Sequence, residues 1–228
     1  MKSIPFISQS SPLRVGVPGS AGDAVGQFEV VSEVCARLLI VALFAWMAVR
    51  FGVAFFETGR VTGLFLLVSE GLVALLTVFR RSATDIDVSV RARALMTASL
   101  VGPALLVPIA SDGWTPEWFT VAMSCFGLSI VIAGKLALGR SFALLPANRG
   151  VVSSGVYRFV RHPIYLGYLV SHIAFLVANP TVWNALALVA GDVALLCRSV
   201  CEEKTLAKDS RYRAYQSRVQ WRVVPGVF

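Results

Sequence analysis

Apolar positions in this chain gather into six long runs, near residues 35–56, 61–79, 94–110, 118–138, 163–178 and 182–200. A membrane-spanning helix needs about 20 mostly apolar residues, within roughly 17–25. Most runs meet that length, and 163–178 falls slightly short. Three runs are interrupted. Arg50 breaks the first and Glu70 sits near the middle of the second. Pro103 and Pro108 are expected to kink the third. Asn179-Pro180 makes a tight break between the last two, which predicts an antiparallel helical hairpin. The pattern predicts an all-α polytopic integral membrane protein of about six transmembrane helices. Residues 1–27, rich in Ser, Pro and Gly without a continuous apolar core, read as a disordered cytoplasmic tail. Residues 28–138 would hold four helices, and 139–228 a loop, the hairpin and a basic tail.

Composition agrees. Of 228 residues, 56% are hydrophobic and 15% charged, and the mean hydropathy is +0.71. Soluble domains carry roughly 25% charge. The net charge of +8 suits arginine-rich cytoplasmic loops and anionic headgroups better than nucleic acid.

The charges are also unevenly placed. Arg80, Arg81, Arg91 and Arg93, against Asp85 and Asp87, separate runs two and three. Lys135, Arg140, Arg149, Arg158 and Arg161 separate runs four and five. Lys204, Lys208, Arg211, Arg213, Arg218 and Arg222 follow run six. The remaining loops hold Glu57 and Arg60, then Asp112 and Glu117. The positive-inside rule therefore puts both termini and every basic stretch in the cytoplasm. Trp114, Trp118 and Trp183 read as interfacial anchors.

Cys197 and Cys201 share a helix face, but no further ligands accompany them, so no metal site is expected. Together with Cys35 and Cys125 they read as buried small residues. Glu70, His172 and Asp192 lie inside apolar runs, where ionisable groups face the bundle interior or a helix partner. His172 and Asp192 read at unmatched depths and are left unpaired.

The chemistry-bearing stretch is "GVYRFVRHPIYLGYL", residues 155–169. Pro163 suits the first position of a helix. The loop before it would then meet free N–H groups and a positive dipole end, strengthened by Arg158 and Arg161. Gly167, one turn on, leaves space for a neighbouring helix or a flat ligand. The hairpin returns Arg198, Glu202 and Glu203 to the same membrane face. Arg198 and Glu202 stand one turn apart and can pair. The two glutamates diverge by roughly 100° around a helix. An anion subsite, carboxylates and aromatic walls at a lipid boundary admit S-adenosylmethionine as one ligand among several.

Arg161, His162, Pro163, Tyr165 and Gly167, then Glu202-Glu203, then Tyr212, Tyr215 and Pro225 form an ordered series. In this series the last 90 or so residues resemble the isoprenylcysteine carboxyl methyltransferase family, a relative of membrane phospholipid methyltransferases. The resemblance implies methyl transfer from S-adenosylmethionine at the cytoplasmic membrane face, making 139–228 the catalytic half. It implies cofactor binding by Tyr157, His162, Pro163, Tyr165, Gly167, Glu202 and Glu203. It also implies a lipid or prenylated acceptor admitted from the bilayer, with membrane lipids as the other partners.

A carboxylate acceptor needs no strong base, because it is ionised at neutral pH. It does need a cation, and Arg158, Arg161 and Arg198 are the candidates. An isoprenylcysteine-like carboxylate is the first expectation. A phospholipid amine, an NADPH-dependent reduction of the sterol-reductase kind and a non-catalytic membrane protein are the alternatives. The Glu202-Glu203 pair argues against the reductase, and the absence of an internal repeat against a transporter. Residues 212–221 read as an amphipathic membrane-surface segment or a lid over the cofactor, with the surface reading preferred for Arg213 and Arg218.

Overall fold

The computed structural model describes residues 21–79, 85–86, 89–109, 114–139, 147–148 and 151–228. The side chains of Cys35 and Glu70, and Arg80, Arg81, Asp112, Arg140 and Arg149, lie outside the described set, as does the tail before Ala21. The chain divides into two compact units, Met1–Leu38 and Leu39–Phe228. Every candidate site residue belongs to the second unit.

Seven α-helices make up the described architecture. They are α1 (Ala21–Thr58), α2 (Thr62–Phe79), α3 (Val90–Ala104), α4 (Glu117–Leu138), α5 (Pro163–Ala178), α6 (Val182–Leu206) and α7 (Ser210–Gln216). The only described strands are a two-residue antiparallel pair, β1 (Asp85–Ile86) with β2 (Ala147–Asn148). This pair ties together two loops at one end of the bundle. Three described helical stretches are long and apolar enough to cross a membrane: Val41–Thr58, Glu117–Leu138 and Val182–Leu206. The chain is thus an all-α membrane protein. α1 begins inside the stretch expected to be a tail.

Two helices end differently from the hydropathy pattern. The pattern predicts a kinked helix over 94–110. Instead α3 starts at Val90, where the Ser89 hydroxyl accepts from the Ala92 N–H at 3.2 Å, and stops at Ala104. Pro108 biases Val107 toward extended backbone, and side chains satisfy the chain that leaves the helix. Asn184 Oδ1 accepts from Val107 N at 2.9 Å and Asn179 Oδ1 from Ile109 N at 3.0 Å. Arg50 caps the same helix end, donating to the carbonyls of Ala104 and Leu106 at 2.9 Å each. The cation that interrupts the first run therefore satisfies carbonyls that lack helical partners. α6 runs through Glu202 and Glu203 to Leu206, past the apolar stretch.

Small residues set the helix contacts. A Cβ on Gly102 would stand 2.9 Å from Gly191 Cα, so α3 and α6 touch backbone to backbone. On α4 and α5, a Cβ at Gly167 would meet Val131 Cγ2 at 2.6 Å and Gly127 O at 2.7 Å. Gly134 faces Ile164 in the same seam. The seam runs antiparallel, setting the end of α4 beside the start of α5. Around it, Phe51, Leu66, Val131, Phe175, Leu188 and Leu195 form the core. Leu39, Phe126, Ile173, Leu186 and Val189 remain exposed, an apolar wall suited to lipid.

The α5–α6 hairpin forms as expected. Asn179 N donates to Phe175 O at 2.8 Å, and the Thr181 hydroxyl accepts from Asn184 N at 3.0 Å to start α6. One end of the bundle therefore holds the start of α5 and the end of α6. The other holds the α1–α2, α3–α4 and α5–α6 connections.

Candidate functional site

The site is built on the start of α5, the end of α6 and the tail behind α7. Gly155, at φ +61°, opens a single 3-10 turn over Gly155–Arg158 in a conformation L side chains rarely adopt. Pro163 stands at the first position of α5 and His162 is the N-cap residue. His162 makes no side-chain cap bond, because its ring is directed at the two glutamates.

Four contacts organise Glu203. Arg161 Nε donates to its Oε1 at 2.8 Å, and His162 Nε2 lies 3.2 Å from the same oxygen. Arg222 Nη2 stands 3.0 Å from Oε2, and Gln216 Nε2 donates to Oε2 at 3.3 Å. Glu202 is held separately. Tyr165 Oη donates to its Oε1 at 2.6 Å and Arg198 Nε to the same atom at 3.0 Å. His162 Nδ1 is 3.6 Å from Glu202 Oε2, an ion-pair distance too long for a hydrogen bond. The imidazole thus sits between the carboxylates. It stacks on Tyr165 with centroids 5.2 Å apart and planes 14° apart, and the Arg198 guanidinium lies 5.7 Å from the centre of the same tyrosine ring.

The tail closes the third side. Arg161 N donates to Trp221 O at 2.9 Å and His162 N to Arg222 O at 2.7 Å. Arg161 Nη1 adds a bond to Val219 O at 3.2 Å. Residues 219–222 are therefore strapped to the Arg161-His162 loop by main-chain bonds. Tyr215, 2% exposed, donates its hydroxyl to Tyr157 O at 2.6 Å and fixes the 3-10 turn. Burial pushes the phenols of Tyr157, Tyr212 and Tyr215 above their usual range, aided by the nearby Glu202 or Glu203 carboxylates. These hydroxyls stay protonated and remain donors. The buried tyrosines join one face of this segment to the site, while Arg213 and Arg218 on its other face stay exposed.

The structure brings Tyr157, Arg161, His162, Pro163, Tyr165, Arg198, Glu202 and Glu203 to one place. Two candidates lie elsewhere. Gly167 is filled by α4, as the Val131 and Gly127 distances show, so its missing side chain serves helix packing and not a ligand. Arg158 is exposed and rests on Phe159 at 4.7 Å. Arg161 and Arg198 each face a glutamate.

Other expectations are corrected. His172 and Asp192 do pair, Nδ1 to Oδ1 at 2.6 Å, joining α5 to α6 inside the apolar bundle. The turn between the helices lets positions read at different depths meet. Lys135, read as a loop cation, is fully buried in the last turn of α4 and donates to Tyr168 Oη at 3.0 Å. Cys125 is exposed, whereas Cys201 is buried. Trp114, Trp118 and Trp183 are all exposed. No group of metal-binding side chains occurs among the described residues.

Sequence reasoning missed Arg222, Gln216 and the structural role of Tyr215. A basic residue shortly after the two tail tyrosines was a visible signal, but its reach back to Glu203 depends on the strap.

Residues 120–208 match the model of the isoprenylcysteine carboxyl methyltransferase (ICMT) family. The matched span contains α5, α6, Arg161, His162 and both glutamates. A curated relative, protein-S-isoprenylcysteine O-methyltransferase A of Arabidopsis thaliana, is 35% identical over 95 residues. The alignment takes in 36% of this chain and 47% of that relative, so the chain spans about half the length of the protein it matches. The resemblance is borne out over residues 120–208, which hold the Arg161–Gly167 and Glu202-Glu203 parts of the motif series.

Proposed function

We propose that this protein is an integral membrane methyltransferase. It moves a methyl group from S-adenosylmethionine to the carboxylate of an isoprenylcysteine-like, lipid-anchored acceptor. The observation that carries the reading is the meeting of Arg161-His162 on one side of the hairpin with Glu202-Glu203 on the other. It occurs inside the segment that matches the methyltransferase family.

The residues fit the cofactor's chemistry. Three guanidiniums, Arg161, Arg198 and Arg222, stand against two carboxylates, leaving one positive charge in excess. Arg222 Nε is buried without a hydrogen-bond partner, a donor that a carboxylate would satisfy. Glu202, Glu203, His162, Tyr165 and Arg222 are the groups that would hold the cofactor. When bound, S-adenosylmethionine supplies an electrophilic methyl group on a sulfonium centre.

The chain's own residues then work by alignment. Glu202 and Glu203 are each fixed by two or more donors, so their oxygens are pre-oriented. Burial of His162 and Tyr165 excludes water from the same face. The acceptor carboxylate is ionised already and needs no proton removed. Arg161 and Arg198, the two candidate cations that lie within the site, would be the ones to meet the acceptor's carboxylate. The distribution of basic loop charges supports a cytoplasmic placement for this end of the bundle and for both termini.

The test is to incubate membranes containing the protein with methyl-labelled cofactor and a farnesylcysteine analogue. Base-labile label in the analogue is the expected product. Label stable to base in the lipid fraction would overturn the carboxylate assignment, and no transfer at all would overturn the methyltransferase.

A further inference from the structure

The opposite end of the bundle holds a cavity of about 410 Å³ that the methyl-transfer reading does not use. Its walls come from three helices. Arg60 just precedes α2 and Thr62 starts it, Thr115 just precedes α4 and Glu117 starts it, and Ala178 ends α5. Ligand sites commonly fall at ~300–1,000 Å³, so the space suits a small polar group.

The lining has both charges. Arg60 donates to Ala178 O, which places its guanidinium at the cavity wall. Glu117 supplies a carboxylate. Thr115 Oγ1 is buried and has no hydrogen-bond partner among the described residues. Such an atom costs free energy unless something satisfies it. Pro116, the N-cap residue of α4, gives no side-chain bond to the first helical N–H groups. The positive end of that helix dipole therefore also faces this region.

The level in the membrane is set by tryptophans. Trp114, Trp118 and Trp183 are 73%, 71% and 54% exposed around this end. Trp concentrates at the headgroup level of bilayers. A group carrying an anion and an ammonium is abundant at that level.

We propose that this cavity binds the headgroup of an amine-bearing phospholipid from the leaflet opposite the glutamate site. Its phosphate meets Arg60 and Thr115, and its ammonium meets Glu117. Binding there would hold the starts of α2 and α4 to the end of α5. It requires no methyl transfer and stands whether or not that activity is confirmed.

The experiment is native mass spectrometry of the full chain in detergent with added phosphatidylethanolamine. Phosphatidylglycerol and inorganic phosphate serve as separate probes. The expected result is one retained phosphatidylethanolamine. Retention should fall roughly ten-fold in Thr115→Val and in Glu117→Gln, as loss of one hydrogen bond to a charged group predicts. Arg60→Gln should abolish it. Because Arg60 also caps α5, Thr115→Val is the cleaner variant, since it leaves the Ala178 bond intact. Equal retention by the wild type and both Thr115→Val and Glu117→Gln would overturn the site. Phosphatidylglycerol retained as well as phosphatidylethanolamine, independent of Glu117, would overturn the amine assignment. Inorganic phosphate bound with the same dependence on Thr115, and no lipid retained, would overturn the lipid as ligand.

Discussion

Glu203 is 5% exposed yet faces Arg161, His162, Gln216 and Arg222. Removing it strands two guanidiniums in a poorly hydrated place. Breaking a buried pair from one side costs about 3–5 kcal/mol. Glu203→Ala should therefore lower the unfolding temperature in detergent and abolish cofactor binding together. Tyr165→Phe separates the two effects. It removes only the 2.6 Å hydrogen bond to Glu202 and keeps the ring that stacks on His162. A hydrogen bond to a charged group contributes about 1.5–3 kcal/mol, so titration calorimetry should show cofactor affinity at least roughly ten-fold weaker with little change in unfolding temperature. An unchanged affinity would remove Glu202 from the binding groups. At this scale the sequence was informative where neighbours in the chain are also neighbours in space. Arg161-His162 and Glu202-Glu203 could be picked out because each pair is contiguous. Arg222 could not, because its position depends on main-chain bonds between 219–222 and 161–162.

Helix positions were legible from apolar runs, and α5 falls at the expected Pro163–Ala178. Helix ends were less so, because side chains from distant segments decide them, as Arg50 and Asn184 do for α3. The α4–α5 seam makes a sharp prediction. Gly167→Val would drive two methyl groups into Val131 and Gly127. Overpacking costs typically ~1–3 kcal/mol, and here part of the obstacle is backbone that cannot rotate away. Thermal unfolding should detect the loss, and the site at the start of α5 should weaken with it. The α5–α6 pair makes a second. A double-mutant cycle of His172→Ala and Asp192→Ala should give a coupling of roughly 0.5–2 kcal/mol, the range seen for polar contacts between membrane helices. No coupling would mean the 2.6 Å contact contributes nothing to helix association. The tail adds a pH effect. The phenols of Tyr212 and Tyr215 titrate higher in the folded protein than when free. Their stabilisation is complete below the unfolded value of about 10 and declines as pH rises above it. Tyrosinate absorbance should therefore appear late and together with loss of the strap.

At the largest scale, the Leu39–Phe228 unit has two chemically different ends. Exposed Arg91, Arg93, Lys204, Lys208, Arg211, Arg213 and Arg218 surround the end that carries His162 and Glu203. The opposite end carries Arg60 and Glu117 with three exposed tryptophans. This asymmetry was readable from loop charges, because the positive-inside rule depends on sequence position and not on packing. The number of crossings was harder, since α3 has only 15 residues and α5 only 16. At 1.5 Å per residue each falls short of a hydrocarbon core of about 30 Å. Close contact with longer partners explains how they can still sit in the bundle. Gly102 of α3 abuts Gly191 of α6, and Gly167 of α5 abuts Gly127 of α4. A short helix buried against a full-length one need not reach both interfaces by itself. Orientation can then be tested at the two ends independently. In a background without native cysteines, Lys204→Cys should react with a membrane-impermeant maleimide only when the cytoplasmic face is accessible. Val182→Cys, at a position 78% exposed beside the α5–α6 turn, should react only from the other side. Labelling of both from one side would mean that the hairpin does not cross the bilayer. The reverse pattern would put the glutamate site on the outer face, away from a cytoplasmic supply of methyl donor.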